Sequence, residues 1–401
     1  MPWKVCSRMS ERLEFVELAS VAGCNMVRLC RRFGISRKTG YKWLGRYRQT
    51  GEAGLAERSR RPRRSPRTTI PAVTERIVAL RQAHPAWGAR KLVARLKALA
   101  VGDLPASCTV HRILQRQGLL DLVKSQQHQP LQRFEYAAPN ELWQMDFKGH
   151  VAMRAGGRCH PLTVLDDHSR YNLVLQACDN EQGVTVQTHL MAAFGRYGLP
   201  VRMLMDNGSP WRTSGRTHEE HNNQLSLWLM RLGIRVLHGR PRHPQTQGKE
   251  ERFHQTLVAE VLRWHVLENL VHAQALFDPW RRVYNHERPH EALGMQVPAQ
   301  RYQTSARELP TQLPAIEYGP GDLVRQVRDG GQIKFAGQEY RIGKAFKGQP
   351  VALRPTRVDG LWDVYYCQQR LGQIDQKQED SPRSLRPCRR LAALATDTAE
   401  G

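Results

Sequence analysis

The chain lacks any Cys-x-x-Cys pair. Its eight cysteines (Cys6, Cys24, Cys30, Cys108, Cys159, Cys178, Cys367 and Cys388) are scattered over 401 residues. Zinc modules and redox dithiols need paired thiols at fixed spacing, so neither is supported, and no disulfide framework is expected. Cys24 and Cys30 fall on a helical segment and read as small buried apolar side chains. Also missing is any apolar run near the ~20 residues that cross a bilayer. The opening Met1-Pro2-Trp3-Lys4-Val5-Cys6 has no signal-peptide core, so a cytoplasmic location without a membrane partner is expected. Negative charge is scarce: 37 Asp and Glu face 61 Lys and Arg, a net charge of +24. Such an excess calls for a polyanionic partner, nucleic acid first.

What is present suits two to four domains, with 40% hydrophobic residues to build their cores. The basic excess is concentrated at the start, where residues 1–70 hold 17 Lys and Arg against 5 Asp and Glu, half of the chain's net charge. There the spacing predicts helices over Ser10–Ala19, with Ser10 as cap, and over Met26–Phe33. The turn Gly34-Ile35-Ser36 and a basic, aromatic helix come next. This pattern over residues 1–56 resembles a helix-turn-helix, with Arg37, Lys38, Tyr41 and Lys42 at the groove-facing end. Residues 57–69 form an Arg/Pro linker whose Arg60, Arg61, Arg63 and Arg64 suit phosphate or minor-groove contact. Residues 70–125 then predict three short helices, the last capped by Ser107-Cys108-Thr109 and bearing His111, Arg112 and Arg116. They look like a second helix-turn-helix of the winged kind, its wing placed between Gly118 and Glu135.

The densest chemistry lies further on. Val201 to Met205 is a short apolar strand that delivers Asp206 into a tight Asn207-Gly208 turn. The alternating strand from Glu141 to Gly149 carries Asp146, which would face the same side if the two strands pair. After a strand at Ile234–Leu237 and the loop His243-Pro244-Gln245-Thr246-Gln247-Gly248, helical spacing runs from Lys249 to His265. Phe253, Leu257, Val261 and Trp264 share one face of it. Glu250 and Glu251 occupy its first turn, and spacing leaves open which of them approaches Asp206. Three carboxylates from two strands and a helix can hold two Mg²⁺ roughly 3.5–4 Å apart, as in-line attack on a phosphodiester requires.

The runs WQMDFKG, VLDDHSRY, DNGSPW and HPQTQGKEERFHQTL, in that order, resemble the integrase-type catalytic core of bacterial insertion-sequence transposases, in the superfamily of the retroviral integrases. The resemblance spans about residues 137–298. It implies a ribonuclease-H-like α/β core with a mixed sheet, in a multidomain chain with α-helical helix-turn-helix modules. It aligns Asp146, Asp206 and Glu251 with the catalytic, metal-binding carboxylates. Glu250 stands where the family commonly has an apolar residue. Retroviral integrases carry an N-terminal zinc module, which the scattered cysteines of this chain do not support, so it is expected to bind DNA ends by other means.

Asp166 and Asp167, at a turn between two strands, read instead as backbone caps paired with a nearby Arg. His243, Gln245 and Lys249 are expected to touch DNA near the scissile phosphate. Short strands at Val324–Val327, Gln332–Phe335, Glu339–Ile342, Pro350–Leu353 and Trp362–Tyr366 predict a small β-barrel over residues 316–376. A basic, disordered tail holding Arg383, Arg386, Arg389 and Arg390 should occupy 377–401.

The resemblance implies a bacterial, nucleoid-associated Mg²⁺-dependent transposase, with Mn²⁺ as a substitute, that cuts the terminal repeats of its element and joins them to target DNA. A dimer or larger assembly on double-stranded DNA is expected. The rival readings are a DNA-binding regulator on a non-catalytic scaffold and a purely hydrolytic nuclease.

Overall fold

The computed structural model of the protein describes residues 8–57, 68–120, 135–206, 208, 210–211, 222–239, 248–377 and 383–385. The chain divides into two units, Met1–Thr68 and Thr69–Gly401.

The first unit is α1 (Arg8–Ala19), α2 (Met26–Arg32) and α3 (Arg37–Thr50). Helix α2 starts under Asn25, whose side chain accepts the N–H groups of Val27 and Arg28, and α3 under Ser36, which accepts that of Thr39. Helix α1 begins at Arg8, so Ser10 lies inside it rather than capping it. Phe15, Val16, Cys30, Trp43, Leu44 and Leu55 form the core. Gly40 permits the close crossing: a Cβ there would stand 2.7 Å from Cys30 Sγ and 2.9 Å from Phe15 Cζ. Cys30 is buried as expected, whereas Cys24 is only half-buried.

The second unit opens with α4 (Pro71–Ala83), α5 (Ala89–Ala98) and α6 (Ser107–Arg116), packed around Ile77, Trp87, Leu92, Val110 and Leu114. Ser107 is the first residue of α6, and Ala106 precedes it without a side-chain cap, so the expected Ser-Cys-Thr cap does not form. Most of the expected wing lies outside the described residues.

The central sheet contains β1 (Leu142–Phe147), β2 (Val151–Ala152), β3 (Arg158–Asp166), β4 (Asn172–Cys178), β5 (Arg202–Met205) and β6 (Arg235–His238). Strand β3 pairs antiparallel with β4, β1 and the short β2, while β1, β5 and β6 run parallel. Helices α7 (Gly183–Tyr197) and α8 (Gln224–Arg231) belong to one apolar cluster, where Val186, Leu190 and Leu229 join Leu162 and Val164. Helices α9 (Gly248–Leu257) and α10 (Leu270–His286) belong to another, where Phe253, Leu257 and Phe277 join Cys159 and Leu165. Alternate residues of β3 thus feed different clusters, as the two-residue period of a strand requires. This mixed sheet with helices is the ribonuclease-H-like arrangement.

Past Leu257 the helix widens into a π turn, Val258–Leu262. The helix ends with that turn, short of the expected His265. Trp264, expected on the buried stripe, is therefore 59% exposed.

At the C-terminal end β7 (Leu323–Gln326), β8 (Gln332–Phe335), β9 (Gln338–Arg341), β10 (Pro350–Pro355), β11 (Leu361–Tyr366), β12 (Gln369–Asp375) and β13 (Arg383–Ser384) form two small sheets, in the orders β12-β11-β10-β7 and β13-β9-β8. Ile333, Phe335, Val351, Leu353, Val364 and Ile374 share their core. Arg383, expected in a disordered tail, lies in β13, paired parallel to β9.

Candidate active site

The parallel register that sets Gln144 beside Leu204, continued by two residues, brings Asp146 beside Asp206. Burial pushes the Asp146 carboxyl up to about 7, with the charge of Asp206 adding to the effect. Burial likewise raises Asp206, opposed by the Gly208 N–H, which donates to Asp206 Oδ1 at 2.8 Å. Gly208 has a steric role here, since a Cβ on it would come within 3.1 Å of Asp206 Oδ2. Two carboxylates from separate strands thus share one poorly hydrated place.

The antiparallel partner of Asp146 on β3 is Thr163. Its Oγ1 donates to the Asp146 carbonyl at 3.0 Å and lies 2.9 Å from both Glu250 Oε2 and His254 Nε2. Glu250 is 1% exposed, and its Oε1 is buried with no hydrogen-bond partner. Burial, then the charge of Asp146, raises its carboxyl well above the usual range. His254 is pushed down to about 4 by burial and by Lys148, so it is neutral near pH 7.

Glu251 occupies the other side of the first turn of α9. It is exposed and accepts a hydrogen bond from Gln255 Nε2 at 3.3 Å. The structure therefore brings Asp146, Asp206 and Glu250 into electrostatic reach and leaves Glu251 facing solvent. Among the described residues, no three His, Cys, Asp or Glu side chains are gathered tightly enough to hold a metal ion.

Lys249 departs from its expected place toward DNA. Its ammonium is turned inward and paired with Asp167, with 16% of the side chain exposed. Asp166 and Asp167 are bound up in the structure as expected, though by different partners. Asp166 accepts from the backbone of Asn140 and Ser169 and from the Ser169 hydroxyl. Asp167 accepts from the Tyr136 N–H, Gln144 and Lys249. The nearby Arg170 pairs with Glu135 instead.

Arg37, Lys38, Tyr41 and Lys42 are exposed on the first turns of α3, and His111, Arg112 and Arg116 are exposed on α6. Arg60, Arg61, Arg63, Arg64, His243 and Gln245 lie outside the described residues. Thr163, His254 and Gln144 escaped the reading of the sequence. Only the pairing register of β1 and β3 marks Thr163, and its distance from Asp146 along the chain hides that.

Comparison with protein families places an integrase core domain over residues 137–244 and again over 232–298. The C-terminal domain of IS481 family transposases matches residues 322–382. A helix-turn-helix domain matches 11–63 and a homeodomain-like domain 39–114. The insertion element IS407 uncharacterized 31.7 kDa protein of Burkholderia multivorans is 28% identical over 195 residues, 49% of this chain and 64% of that one. The insertion element IS476 uncharacterized 39.2 kDa protein of Xanthomonas euvesicatoria is 27% identical over 276 residues, 67% of this chain and 76% of that one. The match thus spans a little under two thirds of the first relative. Solved structures give looser likenesses. The HTLV-2 integrase catalytic core domain in complex with magnesium, in its dimeric form, is 15% identical with a TM-score of 0.32, covering 41% of this chain and 97% of that one. A simian T-cell lymphotropic virus intasome in complex with the PP2A regulatory subunit B56 gamma is 17% identical with a TM-score of 0.36, covering 78% and 100%.

Proposed function

Since this chain belongs to the bacterial insertion-sequence transposases that carry an integrase core, we propose that it binds the terminal inverted repeats of its own element, cleaves the ends, and joins each free 3′-OH to target DNA. The observation that carries this reading is the placing of Asp146 beside Asp206 on neighbouring parallel strands. Two neighbouring carboxylates, one of them raised by the other's charge, make a poor structural pair and a good cation site. Their oxygens are hard donors, as Mg²⁺ or Mn²⁺ prefers, and Asp206 keeps its second oxygen after taking the Gly208 N–H. When bound, Mg²⁺ supplies positive charge to the phosphodiester and acidifies the attacking hydroxyl.

Asp146 and Asp206 would hold the cation from the sheet, and Glu251 would supply the third carboxylate from α9. Glu251 is preferred to Glu250 because the substrate is a macromolecule. A side chain that touches the scissile phosphate or its cation must stand where a duplex can reach, and Glu250 is 1% exposed. In cleavage the nucleophile is water, and in joining it is the 3′-OH. One P–O bond forms as another breaks, with no covalent link to the protein. The exposed cations of α3 and α6 hold the duplex by its phosphates and grooves, which makes binding salt-dependent. Joining two ends requires at least two chains on DNA.

The test is end DNA labelled at the element boundary, mixed with purified protein and Mg²⁺ and monitored for nicking and strand transfer. Asp206→Ala and Glu251→Gln should lose both reactions while still retaining the DNA. Full strand transfer by Asp206→Ala would remove the proposal, and loss in Glu250→Gln alone would move the third ligand one residue back.

A further inference from the structure

One buried carboxylate joins the strand that carries Asp146 to the helix that carries Glu251. Asp167 has a fully buried side chain. Its Oδ1 takes the amide of Gln144 at 2.6 Å and the ammonium of Lys249, and its Oδ2 takes the Tyr136 N–H at 2.9 Å. Its own N–H donates to the Leu142 carbonyl at 2.9 Å, and its carbonyl lies 3.4 Å from Lys249 Nζ. Gln144 lies two residues before Asp146 on β1, and Lys249 two residues before Glu251 on α9.

The rest of α9 is held to the sheet by Phe253 and Leu257 against Cys159 and Leu165, and by the Thr163 hydroxyl, which lies 2.9 Å from both Glu250 Oε2 and His254 Nε2. Apolar packing is non-directional and fixes the distance of a helix better than its rotation. Rotation matters here because a helix turns about 100° per residue, so a small roll of the first turn changes which of Glu250 and Glu251 stands toward Asp146. A charged hydrogen bond at that turn has the direction that apolar contact lacks.

We propose that Asp167 and Lys249 are positioning residues for the catalytic carboxylates, a buried clamp that fixes the rotation of α9 against β1 and so keeps Glu250 turned in and Glu251 on the open side of the first turn, where DNA and its cation arrive. This rests on the reading of Asp146, Asp206 and Glu251 as the metal-binding set. The clamp works as outer hydrogen bonds around metal sites generally do, by holding the ligands rather than by touching the ion. It gives Lys249 a role different from the phosphate contact expected of a basic residue beside the active site.

The test uses the full-length protein. The double variant Asp167→Asn, Lys249→Met removes the clamp without stranding a buried charge, and Lys249→Arg keeps the pair. Thermal melting, Mg²⁺ affinity by calorimetry, end-DNA affinity at two salt concentrations, and the single-turnover joining rate at saturating Mg²⁺ are measured for each. We expect the double variant to bind end DNA like the unaltered protein with the same salt dependence. Its Mg²⁺ affinity should fall at least tenfold and its joining rate at least a hundredfold, while Lys249→Arg stays within tenfold on both. A folded double variant with unaltered Mg²⁺ affinity and joining rate overturns the proposal. So does a loss confined to DNA affinity with a shallower salt dependence, which would make Lys249 a phosphate contact. Should the double variant fail to fold, Gln144→Met cuts the tie to β1 alone. Several-fold weaker Mg²⁺ binding then supports the clamp, and unaltered binding refutes it. Asp206→Asn serves as the control: if it retains Mg²⁺ affinity and joining, the metal-binding reading has failed rather than the clamp.

Discussion

Two pairs of aspartates border the same sheet, one buried and one half-buried, and they are handled in opposite ways. Asp166 and Asp167, where β3 turns toward β4, are ringed by donors: two backbone N–H groups and a hydroxyl for the first, and a backbone N–H, an amide and an ammonium for the second. Asp206 receives the Gly208 N–H, and the strand register sets Asp146 beside it, where the charge of Asp206 raises its carboxyl further. Burial raises the Asp166 carboxyl too, but its hydrogen bonds oppose the shift. A fold that satisfies a buried carboxylate uses it as a joint. A fold that leaves two of them in mutual repulsion keeps their charge for something that arrives later.

The sharpest way to break this contrast is to neutralise one member of the unsatisfied pair. Asp206→Asn should lower end cleavage and joining on the order of 10⁴-fold, about 5 kcal/mol of transition-state stabilisation. Its resistance to urea should be unchanged or greater by about 1 kcal/mol, because a repulsion is removed. A variant that unfolds early would place Asp206 with the structural aspartates. The converse change is Asp166→Ala, which leaves two backbone donors and a hydroxyl buried without an acceptor. It should cost about 3–5 kcal/mol of stability, read from the urea midpoint. A loss under about 1 kcal/mol would mean that these hydrogen bonds contribute little.

The pH dependence of stability separates the pairs further. In the folded protein Asp146 holds its proton up to about 7, whereas its ordinary value is near 3.8. The folded state therefore binds more protons than the unfolded state between these values. The contribution of Asp146 to stability is full below about pH 4 and is lost as pH rises toward 7. Without Mg²⁺, Asp146→Asn should match the unaltered protein at pH 4.5 and exceed it by roughly 1–3 kcal/mol at pH 8, allowing for partial solvation of the group. Equal stability differences at the two pH values would show that Asp146 is not strained by its surroundings.

Much of this contrast could be read in the chain, and its limits have physical causes. The run Val201–Met205 ending on Asp206, and the alternation around Asp146, are local patterns, and each became the strand expected. The turn role of Asp166 and Asp167 was legible for the same reason. The inward turn of Lys249 was not, because its partner lies 82 residues away and no local pattern records the fold that joins them. Nor was the exposure of Trp264, since a regular helical period carries it onto the buried face, whereas the helix closes in a π turn at Leu262 and leaves Trp264 beyond it. Glu250 and Glu251 are neighbours on one helical turn with the same charge, and only the packing of α9 against Thr163 sends one in and leaves the other out.

The smallest expected effect probes that last division. Glu250→Gln keeps an acceptor for the Thr163 hydroxyl and removes a carboxyl that burial and Asp146 both disfavour in its charged form. At pH 8 it should gain about 1 kcal/mol in urea unfolding. Glu251→Gln alters an exposed side chain held by one long hydrogen bond to Gln255, and should stay within about 0.5 kcal/mol. If Glu250→Gln instead destabilises by about 2 kcal/mol or more, the buried carboxyl is a joint in the sense of Asp166. The unsatisfied set on the sheet then shrinks to Asp146 and Asp206, with Glu251 as the one acidic side chain of that helical turn left to complete it.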